Sequence, residues 1–167
     1  MTETVFLRRL SRWQAEGQRE AFADMYEVAY DDGPGGEYQD RQDFLLRFAD
    51  YVQHPGFDMM IASEAGALVG CACGYRAGSA GDSWPGHEEF AGSGQVFTVV
   101  EMMVLPSHRR RGVATRLLQQ LLTRHDAGLA TVRVERTNAA ALAAYGAWGW
   151  TRADDSEAYE TWSRSLG

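Results

Sequence analysis

Apolar and polar positions alternate with a period that changes along the chain, and each change marks an element. Residues 4–10 (TVFLRRL) read as an opening strand. From about Ser11 to Tyr30, Trp13, Phe22, Met25, Tyr26 and Ala29 fall on an approximate helical stripe, which predicts one helix with Ser11 as its N-cap. The run Asp31 to Gly36 breaks it. A second helix is expected over about 40–53, with Phe44, Leu45, Phe48 and Val52 as its apolar face and His54-Pro55-Gly56 as its stop.

The period then shortens. FDMMIASE (57–64) and ALVGCACGYR (67–76), joined by Ala65-Gly66, read as a hairpin. A glycine-rich loop spans 77–95, a length that in compact domains goes with a binding role or with disorder. QVFTVVEMMVL (95–105) is the strongest strand signal. Pro106 opens a short turn into a helix at about 111–126, where Val113, Leu117, Leu118, Leu121 and Leu122 line one face. ATVRVERT (130–137) alternates as a strand. Asn138 is placed to cap a short helix through Tyr145, stopped by Gly146 and Gly149. Two short strands fill the end, with 158–166 the clearer. The order β α α β β β α β α β β predicts one mixed α+β, or α/β, domain over residues 1–167, with no repeat, linker or low-complexity tract.

Composition narrows the function. At 167 residues, 45% hydrophobic and 11% aromatic, the chain can bury a core without staples, which excludes a disordered chain, a collagen-like repeat or a disulfide scaffold. The net charge of −7 argues against nucleic acid as a partner and favours cationic small molecules. Cys71 and Cys73 are too close for a good disulfide and lack metal spacing, so they read as buried thiols in a reducing compartment. The four histidines are scattered, and no metal site is expected. The start, MTETVFLRRL, has no apolar signal region. The most apolar run, Val96 to Leu105, is far short of a membrane span. The expected location is the cytoplasm, away from membranes.

Two segments carry candidate chemistry. In Val104-Leu105-Pro106-Ser107-His108-Arg109-Arg110-Arg111-Gly112-Val113-Ala114, a buried strand runs through a tight basic turn directly into a helix. The unpaired N–H groups and positive end of that helix suit a phosphate, and Gly112 and Ala114 keep side chains out of its way. The Walker ending and the three-glycine dinucleotide fingerprint are both absent. A solvated turn capping a helix is the plain structural alternative. In the second segment Asn138 and Tyr145 stand two turns apart on one helical face, with small residues between. Taken singly, they also suit an N-cap and a core aromatic.

Together the two segments resemble the GNAT family of N-acetyltransferases. The resemblance covers about residues 57–165, and its specific part is 99–150. The family's pyrophosphate signature, Arg/Gln-x-x-Gly-x-Gly/Ala, is matched by Arg109, Gly112 and Ala114, with Val104 and Pro106 in the lead-in. Its later Asn-x-x-Ala-x-x-x-Tyr, followed by Gly and an aromatic residue, is matched by Asn138, Ala141, Tyr145, Gly149 and Trp150. The resemblance implies a central, mostly antiparallel sheet, splayed between the strands at 96–105 and 130–136 and flanked by helices. It implies acetyl-CoA as co-substrate and no metal. The pyrophosphate is expected on backbone N–H groups from Arg109 through Arg110, Arg111, Gly112, Val113 and Ala114 to Thr115. Main-chain groups of Met103 and Val104 are expected to hold the pantetheine arm, with Asn138 beside that arm and Tyr145 beside the sulfur. Relatives are often homodimers, although no residue here demonstrates one.

Amine acetylation by direct attack in a ternary complex needs no enzyme nucleophile. A protonated amine requires a base or water relay, and the departing thiolate requires a proton, which Tyr145 can give. Glu101, the lone charge in 96–105, is the candidate base; it also suits a structural carboxylate between strands. His87 and His108 are weaker candidates. In the family's layout, Asp31, Asp32, Glu37, Asp40, Asp43, Asp82, Glu88 and Glu89 border the acceptor cleft with Trp84 and Phe90, which suits a small cationic or peptidic amine; ordinary solvated surface is the alternative. A non-catalytic acyl-CoA-binding sensor or partner-binding module is the reading from another functional class.

Overall fold

The computed structural model describes residues 4–29, 37–77, 96–123, 127–135, 139–154 and 159–166. The elements are β1 (Val5–Leu10), α1 (Arg12–Gly17), α2 (Arg19–Ala29), α3 (Glu37–Tyr51), β2 (Asp58–Glu64), β3 (Ala67–Ala77), β4 (Val96–Val104), α4 (Val113–Thr123), β5 (Leu129–Glu135), α5 (Ala139–Ala147), β6 (Thr151–Asp154) and β7 (Tyr159–Ser165). The fold is mixed α+β with seven strands, mostly antiparallel, as expected. The chain divides into two compact units, one of Met1–Gly74 with Glu101–Arg124, the other of Tyr75–Val100 with His125–Gly167.

In the first unit β1 pairs antiparallel with β2, and β2 with β3. The β2–β3 hairpin turns at Ala65 and Gly66, both at positive φ, which gives the backbone twist that two-residue hairpins favour. Its register slips between Ala62 and Ser63, which face Gly70 and Leu68, so Val69 is the extra residue of a bulge. The Val69 carbonyl accepts the Leu105 N–H at 2.9 Å. Beside it Gly70 permits a close approach: a Cβ there would lie 3.0 Å from the Met103 carbonyl and 3.2 Å from Leu117.

The single helix expected over 11–30 is two helices. Ser11 caps the first with a full capping box to Gln14, but the helix closes at Gly17 and Gln18, where glycine costs helical stability. The buried face continues through the break, from Ala15 to Phe22, Met25 and Ala29, and Trp13 lies off it, 78% exposed. Phe22, Phe44 and Phe48 form the aromatic centre between α2 and α3. Arg41 of α3 reaches across to Glu20, Asp24 and Glu27 of α2. Cys71 and Cys73 are free, buried thiols, and burial pushes both up in pKa, so they stay protonated and unreactive.

In the second unit the start of β4 runs parallel to β5, from Val96 opposite Leu129 to Val99 opposite Val132. β5 pairs antiparallel with β7, and β7 with β6. α5 does not stop at Gly146 as expected. It runs on to Ala147, and Gly149 follows two residues later at φ +80°. Among the described residues, no helix is long and apolar enough to cross a membrane.

Candidate active site

The turn between β4 and α4 is built in three steps. Leu105 is tied to Val69, and Pro106–His108 make one turn of 3₁₀ helix. Arg110 then takes φ +62° and Gly112 φ +76°. Among the described residues, and its two chain neighbours apart, none comes within 4 Å of where a Gly112 Cβ would stand, so the positive φ rather than packing demands glycine here. The first α4 bond runs from the Arg116 N–H to the Gly112 carbonyl at 3.1 Å. The N–H groups of Val113, Ala114 and Thr115 precede it and have no acceptor within the helix. That end suits a phosphate.

Two of the three arginines have structural partners. Arg109 donates from Nε to the Val104 carbonyl at 3.2 Å and from a terminal nitrogen to the Ala29 carbonyl, the end of α2, at 2.8 Å. Its backbone N–H goes to Pro106, so the turn's available donors begin after it. Arg111 donates to Glu64 Oε2 at 3.1 Å, while Glu64 Oε1 pairs with His108 Nε2 at 3.0 Å. The other ring nitrogen of His108 lies 2.7 Å from the Ser107 hydroxyl. His108 is thus part of a clasp on the turn. Its hydrogen bond is the main reason the Glu64 carboxyl sits below the usual carboxylate range; partial burial opposes the shift and Arg111 adds to it. Arg110 is exposed.

Met103, on the same strand, is buried, and Val104 is half-buried. Glu101 is 10% exposed in its side chain, and its Oε1 accepts from Arg47 Nη2 at 3.2 Å and from the Tyr51 hydroxyl at 3.3 Å. Burial and the negative charge of Glu101 push the Tyr51 hydroxyl up, so it remains a donor. The Arg47 guanidinium lies over the rings of Tyr26, 5.3 Å from the centroid, and Phe44, 5.8 Å.

In the second unit Tyr145 is buried on α5, with Trp148 and Trp150 packed edge-on at 5.2 and 5.1 Å. Its hydroxyl is buried and has no hydrogen-bond partner among the described residues. Burial raises its pKa, so it stays a proton donor. Ala141 is half-buried on the same helix. Asn138 lies outside the described residues, as do His87 and the candidate positions Asp31, Asp32, Asp82, Trp84, Glu88, Glu89 and Phe90. Of the acidic positions, Asp43 is described and exposed. Among the described residues, no group of three or more His, Cys, Asp or Glu is placed to hold a metal.

Glu64, Arg47 and Tyr51 escape a sequence reading. They meet partners 44 or more positions away, and no local spacing signals such a pair.

Seven mostly antiparallel strands with a basic turn feeding an open helix N-terminus define an acyltransferase class of fold. The chain belongs to the acetyltransferase (GNAT) family, whose sequence profile matches residues 19–150. Among curated protein sequences, none matches. Solved structures share the fold: an N-acetyltransferase, PaiA, from Thermoplasma acidophilum in complex with coenzyme A (13% identity, TM-score 0.69) covers 98% of this chain and 99% of its own. A GNAT acetyltransferase from Staphylococcus aureus (11% identity, TM-score 0.67) covers 98% and 100%. An aminoglycoside N-acetyltransferase in complex with CoA (15% identity, TM-score 0.64) covers 93% of each.

Proposed function

We propose that the chain is a single acetyltransferase domain that moves an acetyl group from acetyl-CoA to a primary amine, by direct attack in a ternary complex. The observation that carries this reading is the turn at 109–115 in a chain of this family: Arg110 and Gly112, both at positive φ, lead into the N-terminus of α4, and among the described residues none beyond the chain neighbours comes within 4 Å of a Cβ at Gly112. Acetyl-CoA supplies the activated thioester. In this reading the N–H groups from Arg110 to Thr115 hold its pyrophosphate, and main-chain groups of Met103 and Val104 hold the pantetheine arm. Asn138 keeps the cofactor-arm role that the family motif implies.

Glu101 takes the proton of the acceptor ammonium, directly or through a water. Tyr145 gives a proton to the thiolate; its buried, unpartnered hydroxyl supports that role. A buried donor without a partner costs about 1–3 kcal/mol, and a ligand atom that accepts from it would offset the cost. The acceptor is a small cationic or peptidic amine, a choice supported by the net charge of −7. Location in the cytoplasm fits the two free thiols.

Free CoA released across a panel of primary amines tests the proposal. Amine-dependent release with cationic acceptors preferred is the expected result. Tight acetyl-CoA binding without release for any amine would overturn catalysis and leave an acyl-CoA-binding module.

A further inference from the structure

Glu101 is not a solitary carboxylate in an apolar strand. Arg47 approaches its Oε1 with two nitrogens, Nη2 at 3.2 Å and Nε at 3.4 Å, and the Tyr51 hydroxyl reaches the same oxygen at 3.3 Å. Both donors come from one face of α3, a turn apart. Arg47 is braced independently of Glu101, since its guanidinium lies over the Tyr26 and Phe44 rings. Its side chain is 39% exposed against 10% for Glu101, so the arginine carries charge from the solvent boundary to a carboxylate that is largely out of water. Burial works against the charge on Arg47, but Glu101 and the tyrosines outweigh it and the guanidinium is held more firmly protonated than usual.

We propose that Arg47 is a positioning residue for acetyl transfer: it keeps Glu101 ionised and fixes the direction of its carboxylate. The inference rests on Glu101 being the base. A buried carboxylate without a cation beside it takes up a proton, and a protonated Glu101 cannot accept one from an ammonium. With Arg47 in place the carboxylate accepts the proton and passes it on to solvent rather than storing it. Among the groups facing Glu101 are Arg47 and Tyr51 from α3 and the neutral thiols of Cys71 and Cys73 from β3, with Tyr26 of α2 beyond Arg47. Arg47 brings a cation into hydrogen-bond contact with the carboxylate.

The test reads two quantities on the full-length chain. The first is the titration midpoint of Glu101, from carboxyl-carbon NMR with Glu101→Gln as the assignment control. The second is the acid limb of kcat/KM against pH. In Arg47→Gln both should move upward by about one to three pH units, the scale of one neighbouring charge. Arg47→Lys, which keeps the charge, should return most of the shift. Arg47→Met, which keeps a long apolar side chain against the Tyr26 and Phe44 rings, repeats the measurement if the glutamine variant does not fold. A Glu101 midpoint that stays put in the folded neutral variants overturns the role given to Arg47, while an acid limb that still follows Glu101 would leave the base standing. A midpoint that moves while the acid limb stays put overturns Glu101 as base, and the positioning role with it. A merely structural Arg47 would change stability and neither midpoint.

Discussion

Buried polar groups are not treated alike in the two units, although each holds ion pairs, Arg152 with Glu160 at 3.0 Å in the second. In the first, Glu64, Glu101, Asp58 and Arg41 are each bound to one or more side chains of opposite charge. In the second, the Thr131 hydroxyl, the Tyr145 hydroxyl and the indole N–H groups of Trp150 and Trp162 are buried without a partner among the described residues. Native proteins leave few such atoms unsatisfied. Paired groups hold geometry, whereas an unpaired buried donor is tolerated where something other than the fold uses it. The first unit's networks are therefore read as scaffolding for the β4–α4 turn and for Glu101, and Tyr145 as a group available to a reaction.

The contrast breaks most sharply at Tyr145. Tyr145→Phe should lower the single-turnover rate by about 10²–10⁴-fold, the usual worth of a positioned general acid, with acetyl-CoA affinity little changed. The same variant removes an unsatisfied buried hydroxyl, so its unfolding midpoint in urea should stay level or rise. A wild-type rate, or a clear loss of stability, would return Tyr145 to the class of ordinary core aromatics.

Gly112→Glu is expected next in size. It forces a side chain into a left-handed conformation, which costs about 1–2 kcal/mol, and sets a negative charge where phosphate is expected. Acetyl-CoA affinity by calorimetry should fall by roughly 100-fold, with circular dichroism unchanged. Unaltered binding would remove the turn from the site.

Glu64→Gln sharpens the scaffolding side of the comparison. It weakens both ties of the clasp, and acetyl-CoA affinity should fall by about tenfold, the scale of a hydrogen bond to a charged group. The Glu64 carboxyl sits below its ordinary value of 4.5 in the fold. Its contribution to stability is therefore present above about pH 4.5 and is lost as pH falls through the depressed native value. The gap in urea midpoint between wild type and Glu64→Gln should be widest near neutrality and close in acid. A gap independent of pH would show that the clasp does not titrate with Glu64.

The difference between the units also marks what a sequence can disclose. The turn at 104–114 and the spacing of Tyr145 were readable because their chemistry is local: a strand, a turn and a helix follow one another, and 3.6-residue periodicity sets the rest. The Cys71-Ala72-Cys73 strand was legible for the same reason. The clasp of Glu64 on His108 and Arg111, and the hold of Arg47 on Glu101, join residues 44 to 54 positions apart. Their pairing follows from sheet register and helix placement, which no window on the chain contains. The split at Gly17 and Gln18 was missed because apolar spacing continues through it, although the backbone does not.

Arg109 joins the turn before α4 to the last carbonyl of α2 and to the end of β4. A ligand that orders the turn thereby also orders the final turn of α2, and linkage requires the effect to be reciprocal. The amides at the end of α2 should exchange with deuterium more slowly when acetyl-CoA is present. Any substitution that frays that helix end should weaken binding by the same free energy. The arginine at the head of the phosphate signature then acts less as a grip on the ligand than as a strut, through which a remote helix end senses whether the ligand is there.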